Sequence, residues 1–246
     1  MANLPAFTSG QYELLRQRRH EIAEGLVGAV SGRVRFGRHD RQLYATDASI
    51  YQVEPLGVVV PSSIEDAQRA MAYCAGHGVP VLPRGGGTSL AGQCTSEAVV
   101  LDLSACCDTI RGIDVEKRTC TADAGITVDV LNRALAETGL FFAPDPATVR
   151  QATVGGCIGN NAAGTRSVKY GRTTESVVAI DALLAGVEFG EVDPSEVRVV
   201  FGSASADLGV GSGAEAARDR AADLQLLVRE AAIEGLLIGV GHHRGD

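Results

Sequence analysis

The sequence predicts a mixed α+β fold built in two parts. Three observations carry this. Residues 57–103 read as strand, helix, strand, loop, strand. Residues 110–124 alternate weakly around a polar turn at Glu116-Lys117-Arg118, as antiparallel strands do. Two glycine-rich segments, about sixty residues apart, each follow an apolar strand-like run. With 246 residues, 45% of them hydrophobic, the chain can bury one large core or two small ones.

The elements follow in order. Residues 10–31 predict an exposed amphipathic helix, with Leu14, Leu15, Ile22 and Leu26 on one face. Residues 32–41 are basic and turn-like. Gly57-Val58-Val59-Val60 is a short strand stopped by Pro61. Ser62 or Ser63 caps the next helix, and Glu65 and Asp66 suit its positive N-terminal end. That helix runs to about Ala75. Residues 79–82 form a strand entering the first glycine loop, and residues 98–103 form another. Thr127 caps a helix that Gly139 ends. Residues 141–146 are extended and bounded by proline. Residues 176–186 form an apolar strand. Residues 202–213 are small, acidic and glycine-rich, residues 214–234 predict a helix, and residues 235–246 show no clear element.

The glycine segments hold the functional information. The first is Pro83-Arg84-Gly85-Gly86-Gly87-Thr88-Ser89-Leu90-Ala91-Gly92-Gln93. The second is Thr153-Val154-Gly155-Gly156-Cys157-Ile158-Gly159-Asn160-Asn161-Ala162-Ala163-Gly164, followed by Lys169-Tyr170-Gly171. Without a Cβ, glycine lets backbone amides approach an anion, and successive N–H groups form a nest for phosphate oxygens. Two such segments, seeded with Thr, Ser and Asn donors, suggest a long phosphate-bearing ligand. The first lacks the Gly-Lys-Ser/Thr of a nucleotide-triphosphate loop, and no GxGxxG stands at a strand-to-helix junction. Arg84 reads as an anion ligand or a solvated loop cation, Asp145 as a ligand or a turn former between prolines, and Tyr170 as a ligand or a core residue. Cys157 reads as packing, and His242 and His243 as surface residues.

Composition narrows the classes. A net charge of −8 argues against nucleic-acid or anionic-membrane binding, which wants a basic face. No apolar run reaches the roughly 20 residues of a membrane span, and the N-terminus lacks a signal-peptide pattern. The six cysteines form no CxxC pair and no zinc spacing with histidine, so no metal ligand is expected. Adjacent Cys106-Cys107 is an awkward disulfide unit. Reduced thiols in the cytoplasm are the simplest reading.

The motifs together identify a resemblance. Tyr44-Ala45-Thr46-Asp47-Ala48-Ser49-Ile50-Tyr51, Val58-Val59-Val60-Pro61, the first loop, Leu101-Asp102-Leu103-Ser104, Ala124-Gly125, Pro144-Asp145-Pro146, the second loop and Lys169-Tyr170-Gly171 resemble the FAD-binding, PCMH-type domain of the vanillyl-alcohol oxidase and p-cresol methylhydroxylase group. The likeness is strongest to FAD-linked 2-hydroxy-acid dehydrogenases (D-lactate, glycolate and D-2-hydroxyglutarate), and to long bacterial members that add an iron–sulfur module. The resemblance covers about residues 39–192. It implies two α+β subdomains, about 54–105 and 106–192, after an N-terminal helical extension (1–38) and before a poorly matched tail (193–246).

The resemblance also implies site roles. Arg84, Gly85, Gly86, Gly87, Thr88, Ser89 and Gln93 would wrap the FAD pyrophosphate. Pro144, Asp145, Gly155 and Gly156 would lie along the ribityl chain and flavin. Asn160, Asn161 and Gly164 would contact the pyrophosphate and adenosine, and Tyr170 and Gly171 would close that side. Covalent members attach flavin to a His where this sequence has Thr88, so non-covalent FAD is expected. Family substrate groups lie in a cap domain that is not expected in this chain, and no catalytic acid or base is nominated.

After Ala182-Leu183-Leu184-Ala185-Gly186 the family's Ala-Asp-Gly lacks its Asp here, and the later Gly-Ser-Glu-Gly-Thr-Leu segment is at best echoed by Gly202-Ser203-Ala204. A truncated chain is therefore expected. The expected function is an FAD-dependent oxidoreductase. The alternatives are a non-catalytic flavin-binding or docking subunit needing a cap-bearing or iron–sulfur partner, and a non-functional fragment.

Overall fold

The computed structural model describes residues 8–184, 198–200, 231–239 and 241–242. Its contacts divide the chain into two units. One holds residues 1–82 with Ser89–Asp102, and the other holds Pro83–Thr88 with residues 103–246. The first glycine loop is thus split, with Arg84 to Thr88 in the second unit and Ser89 to Gln93 in the first.

In the first unit, α1 (Ser9–Gln17) and α2 (Arg19–Ala29) replace the single expected helix. The break falls at Arg18, which closes α1 and opens α2 without a side-chain cap. Leu15, Ile22 and Leu26 are buried as the pattern predicts, whereas Leu14 is exposed. The basic stretch after α2 is not a mere turn. It forms β1 (Arg33–Arg35) and α3 (Arg38–Leu43), because β1 finds a partner in β2 (Gly57–Val60) with Arg33 opposite Val60. Alternation was too short there to announce a strand. Helix α4 (Ile64–Gly76) starts at Ser63, whose Oγ accepts from Asp66 N at 3.2 Å.

Strands β3 (Val81–Arg84) and β4 (Val99–Asp102) complete a four-stranded sheet in the order β1-β2-β4-β3, with β2 and β4 parallel. β2 and β4 are buried at every residue, as parallel strands covered on both faces require. Val58, Val60 and Val100 form a core cluster against Tyr44 and Leu82.

In the second unit, β5 (Ile110–Asp114) and β6 (Thr119–Ala122) form the expected antiparallel pair. Helix α5 (Val128–Leu135) is capped by Thr127 Oγ1. A 3-10 turn follows, and Gly139 ends it in the left-handed region at φ 70°. β7 (Leu140–Phe141), α6 (Val154–Gly159), α7 (Ser167–Tyr170) and β8 (Val177–Leu184) follow. Three more strands are β9 (Arg198–Val200), β10 (Ala231–Gly239) and β11 (Gly241–His242). The five-stranded sheet runs β5-β6-β10-β8-β9, and β11 pairs with β7.

Two expectations about the tail fail here. The helix expected over 214–234 is strand from Ala231 onward, and the featureless stretch after Gly235 is β10 and β11. The apolar run Leu236-Leu237-Ile238 pairs with β6 on one edge and β8 on the other, a tertiary opportunity that local pattern does not encode. Residues 201–230, including the acidic glycine-rich stretch and the rest of that expected helix, lie outside the described residues.

A glycine-walled candidate cofactor site

The candidate site in the second unit is built from the Pro83–Thr88 loop, the turn at Pro144-Asp145, and α6 with the turns that follow it. β3 delivers the chain into the loop, and Leu103 N donates to Arg84 O at 3.0 Å to hold its stem. Gly85 then sits against the α6 cap. A Cβ there would overlap Thr153 Oγ1, and a Cβ at Gly86 would overlap the carbonyl oxygen of Gln151. Gly87 adopts φ +65°, where a side chain is strained, with the Arg84 guanidinium under its open side. The two glycine segments are therefore packed against each other, and glycine at 85 and 86 is what permits the approach.

The hydrogen bonding separates the two segments. Among the described residues, the N–H groups of Gly85, Gly86, Gly87 and Thr88 have no protein acceptor. Gly86 is exposed and its neighbours are half-buried, so these donors face a ligand or solvent. The second segment is not an open loop of the same kind: it folds into α6. Gly155 N donates to Ala124 O at 2.8 Å, and Gly156 N donates to the cap Thr153 Oγ1 at 3.2 Å. A Cβ at Gly155 would crowd Ala124 at 2.8 Å. These two glycines permit close packing, with their own donors already engaged.

The flanking turns are tightly specified. Asp145 and Asn161 are non-glycine residues at positive φ, 51° and 43°, which Asp and Asn tolerate better than other side chains. Asp145 Oδ2 accepts from Thr165 Oγ1 at 2.8 Å and pairs with Arg166 at 3.3 Å. A Cβ at Gly164 would overlap the Asp145 and Pro144 carbonyl oxygens. Asn161 Oδ1 accepts from both the N–H and the hydroxyl of Thr174, each at 3.1 Å. Asn160 Nδ2 donates to Gly156 O at 3.0 Å. Tyr170 is half-buried, edge-on to Phe141 at 5.4 Å, and Arg166 lies 4.9 Å over the Phe141 ring. Gly171 follows at φ +81°. Sequence reasoning missed Thr165 and Arg166, whose roles depend on the conformation of Asp145.

In the first unit, Ser89 Oγ lies 3.1 Å from Cys94 Sγ, and Gln93 is exposed, its Oε1 accepting from Ala91 N at 3.1 Å. Burial pushes the Cys157 thiol up to about 12, in keeping with packing. Among the described residues, no group of three His, Cys, Asp or Glu is placed to hold a metal, and no helix is long and apolar enough to cross a membrane.

A loop of unengaged backbone donors beside an arginine, walled by glycines that exclude side chains, has the chemistry to cradle an anionic group such as a phosphate. The chain belongs to the FAD binding domain family, whose description matches residues 55–192. FAD is the cofactor of that family. A D-2-hydroxyglutarate dehydrogenase from Pseudomonas putida is 41% identical over 151 residues, covering 60% of this chain and 15% of that protein. Glycolate oxidase subunit GlcD from Bacillus subtilis is 34% identical over 197 residues, covering 78% of this chain and 42% of that protein. The fold matches a solved alkyldihydroxyacetonephosphate synthase with TM-score 0.69 at 17% identity, over 98% of this chain and 42% of that one. The chain thus spans less than half the length of each of these relatives.

Proposed function

We propose that this chain is the FAD-holding part of a flavin-dependent oxidoreductase of the 2-hydroxy-acid dehydrogenase type, with the cofactor bound non-covalently. The observation that carries the reading is the Gly85–Gly87 loop, whose N–H groups are unmatched among the described residues while side chains are barred from its packed face. In this reading Gly85, Gly86, Gly87 and Thr88 N–H, with the Thr88 and Ser89 hydroxyls, hold the diphosphate. Arg84 balances its charge, and Gln93 borders it. Gly155 and Gly156 form a flat wall, since their donors are engaged elsewhere. Pro144, Asp145, Asn160, Asn161, Gly164, Tyr170 and Gly171 frame the remaining edge. When bound, FAD supplies the redox chemistry, and the protein supplies position and electrostatics. Thr88 cannot form a histidyl–flavin bond, which supports non-covalent binding.

We take residues 39–192 as the flavin domain, and a 2-hydroxy acid such as D-2-hydroxyglutarate, D-lactate or glycolate as the substrate, from the names of the relatives. A second reading is favoured by the relative named as a subunit: this chain is a flavin-binding or docking subunit that works with a chain carrying a cap or iron–sulfur module. The six cysteines, none in a disulfide, support placing it in the cytoplasm.

Titration of purified protein with FAD tests the reading. Saturable binding with a raised Tm is expected, and a protein whose spectrum and melt ignore FAD would overturn it. Dye reduction with the three hydroxy acids, with and without a candidate partner chain, separates the enzyme from the subunit.

A further inference from the structure

Cys106 and Cys107 stand in the turn that leaves β4, before β5 begins. Their Sγ atoms lie 3.3 Å apart. Cys106 is half-buried and reachable, whereas Cys107 is 2% exposed. Consecutive Cα atoms are about 3.8 Å apart, short of the roughly 4.4–6.8 Å that a disulfide prefers. Closing an S–S bond here strains the backbone. A bridging atom that forms two longer bonds, one to each sulfur, spans sulfurs at this separation with a smaller backbone adjustment.

The surroundings favour a neutral product over a charged one. Hydrogen bonding to Cys106, then burial, then Asp123 and Asp108 hold the Cys107 thiol well above its ordinary range. That environment resists a pair of thiolates around a divalent cation. It holds both groups as thiols, the form that a condensing oxo centre takes up, its own oxygen carrying both protons away.

We propose that Cys106 and Cys107 form a dithiol site for a trivalent arsenical, and that filling it loosens the glycine-walled site. The step is a condensation. Two As–S bonds form, the As–O double bond of R–As=O breaks, and both thiol protons leave with that oxygen as water. Neither arsenic nor sulfur changes oxidation state. Cys106 engages first, being the more exposed thiol, and Cys107 closes the chelate ring.

The coupling runs through two hydrogen bonds. Gly125 N donates to Cys107 O at 2.7 Å, and a Cβ at Gly125 would overlap the Leu103 carbonyl oxygen. The next residue back, Ala124, accepts from Gly155 N at 2.8 Å and touches the place a Gly155 Cβ would take. Rotating the Cys107 peptide to seat arsenic moves the support of Gly155. This second half rests on the flavin reading, and the first half does not.

The probe is phenylarsine oxide at one equivalent on reduced full-length chain, followed by gel filtration, denaturation and thiol titration. Untreated chain shows its six thiols. Treated chain is expected to show two fewer, restored by 2,3-dimercaptopropanol and not by excess 2-mercaptoethanol. Because the cysteines are adjacent, the chelate survives denaturation, which one made between distant cysteines does not. Cys106→Ser, at the more exposed position, is expected to abolish the protection, as is Cys107→Ala. An unchanged count of six, or equal protection in Cys106→Ser, would overturn the site. In parallel, the arsenical is expected to weaken FAD binding several-fold in the native sequence and not in Cys106→Ser. Masked thiols with unchanged FAD affinity would uphold the site and overturn its coupling. A chain that never binds FAD leaves the thiol result standing and fails only the flavin reading.

Discussion

Gly86 rests on the carbonyl oxygen of Gln151, in a contact that leaves no room for a β-carbon. Two segments far apart in sequence thereby hold each other, and the second contact, Gly85 on the α6 cap Thr153, repeats the arrangement one residue earlier. The obstacle at Gly86 is backbone, so it cannot rotate away. Gly86→Ala is expected to cost about 1–3 kcal/mol by overpacking and to reduce bound FAD sharply, read from the flavin-to-protein absorbance ratio and the melt. An alanine variant that keeps both its Tm and its flavin would contradict the packed arrangement.

Much of this was legible from local chemistry. Ser63 and Thr127 announced their helices because a cap is a contact within four residues. The β5–β6 hairpin was legible because its partners are neighbours in sequence. The second glycine segment was not, because Gly155 and Gly156 are poor helix formers. Helix α6 exists through the Thr153 cap and through Gly155 against Ala124, a tertiary contact. The likeness of the two segments in sequence therefore hid a difference in role: one keeps its donors open, while the other has committed them. Strand β10 was missed for the same physical reason, since its partners β6 and β8 are remote.

Thr88 stands where covalent relatives are expected to carry histidine. Acid precipitation of the flavin-loaded protein is expected to leave all the flavin in the supernatant. Yellow colour retained in the pellet would show attachment through some other residue.

Asn161 separates backbone strain from hydrogen bonding. It lies at φ 43° and accepts two bonds from Thr174. Asn161→Gly loses the bonds and keeps the conformation, while Asn161→Ala loses both. The alanine variant is expected to be less stable than the glycine variant by about 1 kcal/mol, and each to fall below the native chain by about 1–2 kcal/mol or more. Urea unfolding midpoints measure both gaps. Equal midpoints for the two variants would mean that the left-handed conformation is not required.

The thiols divide by burial. Desolvation holds Cys74 up at about 12, Cys120 at about 11 and Cys157 at about 12, so these three are expected to stay protonated and slow toward alkylating reagents near pH 8. Cys94 and Cys106 are partly exposed. Peptide mapping after a brief iodoacetamide pulse is expected to find label on Cys94 and Cys106 well before the other four. Early label on Cys157 would mean that α6 opens readily in solution.

Asp66 ties α2, β1 and α4 together in the first unit. Its side chain is fully buried, and it accepts from Ser31 N and Gly32 N at 2.7 Å and from Ser62 N at 2.9 Å, with Arg69 paired at 2.8 Å. Burial alone would raise its pKa, but the backbone donors of Ser62, Ser31 and Gly32 and the Arg69 guanidinium prevail and bring it to about 2. The folded value lies below the ordinary 3.8, so the stabilisation is present above that pH and is lost as pH falls toward 2. The shift corresponds to about 2 kcal/mol. Asp66→Asn keeps the shape but removes the charge and places an amide among donors, so it is expected to cost about 3 kcal/mol at pH 7. The gap between native and variant stability should stay constant from pH 7 to about pH 5 and shrink below pH 4, as followed by urea unfolding across that range. A gap that does not change down to pH 2 would show that the carboxylate is not the stabilising form.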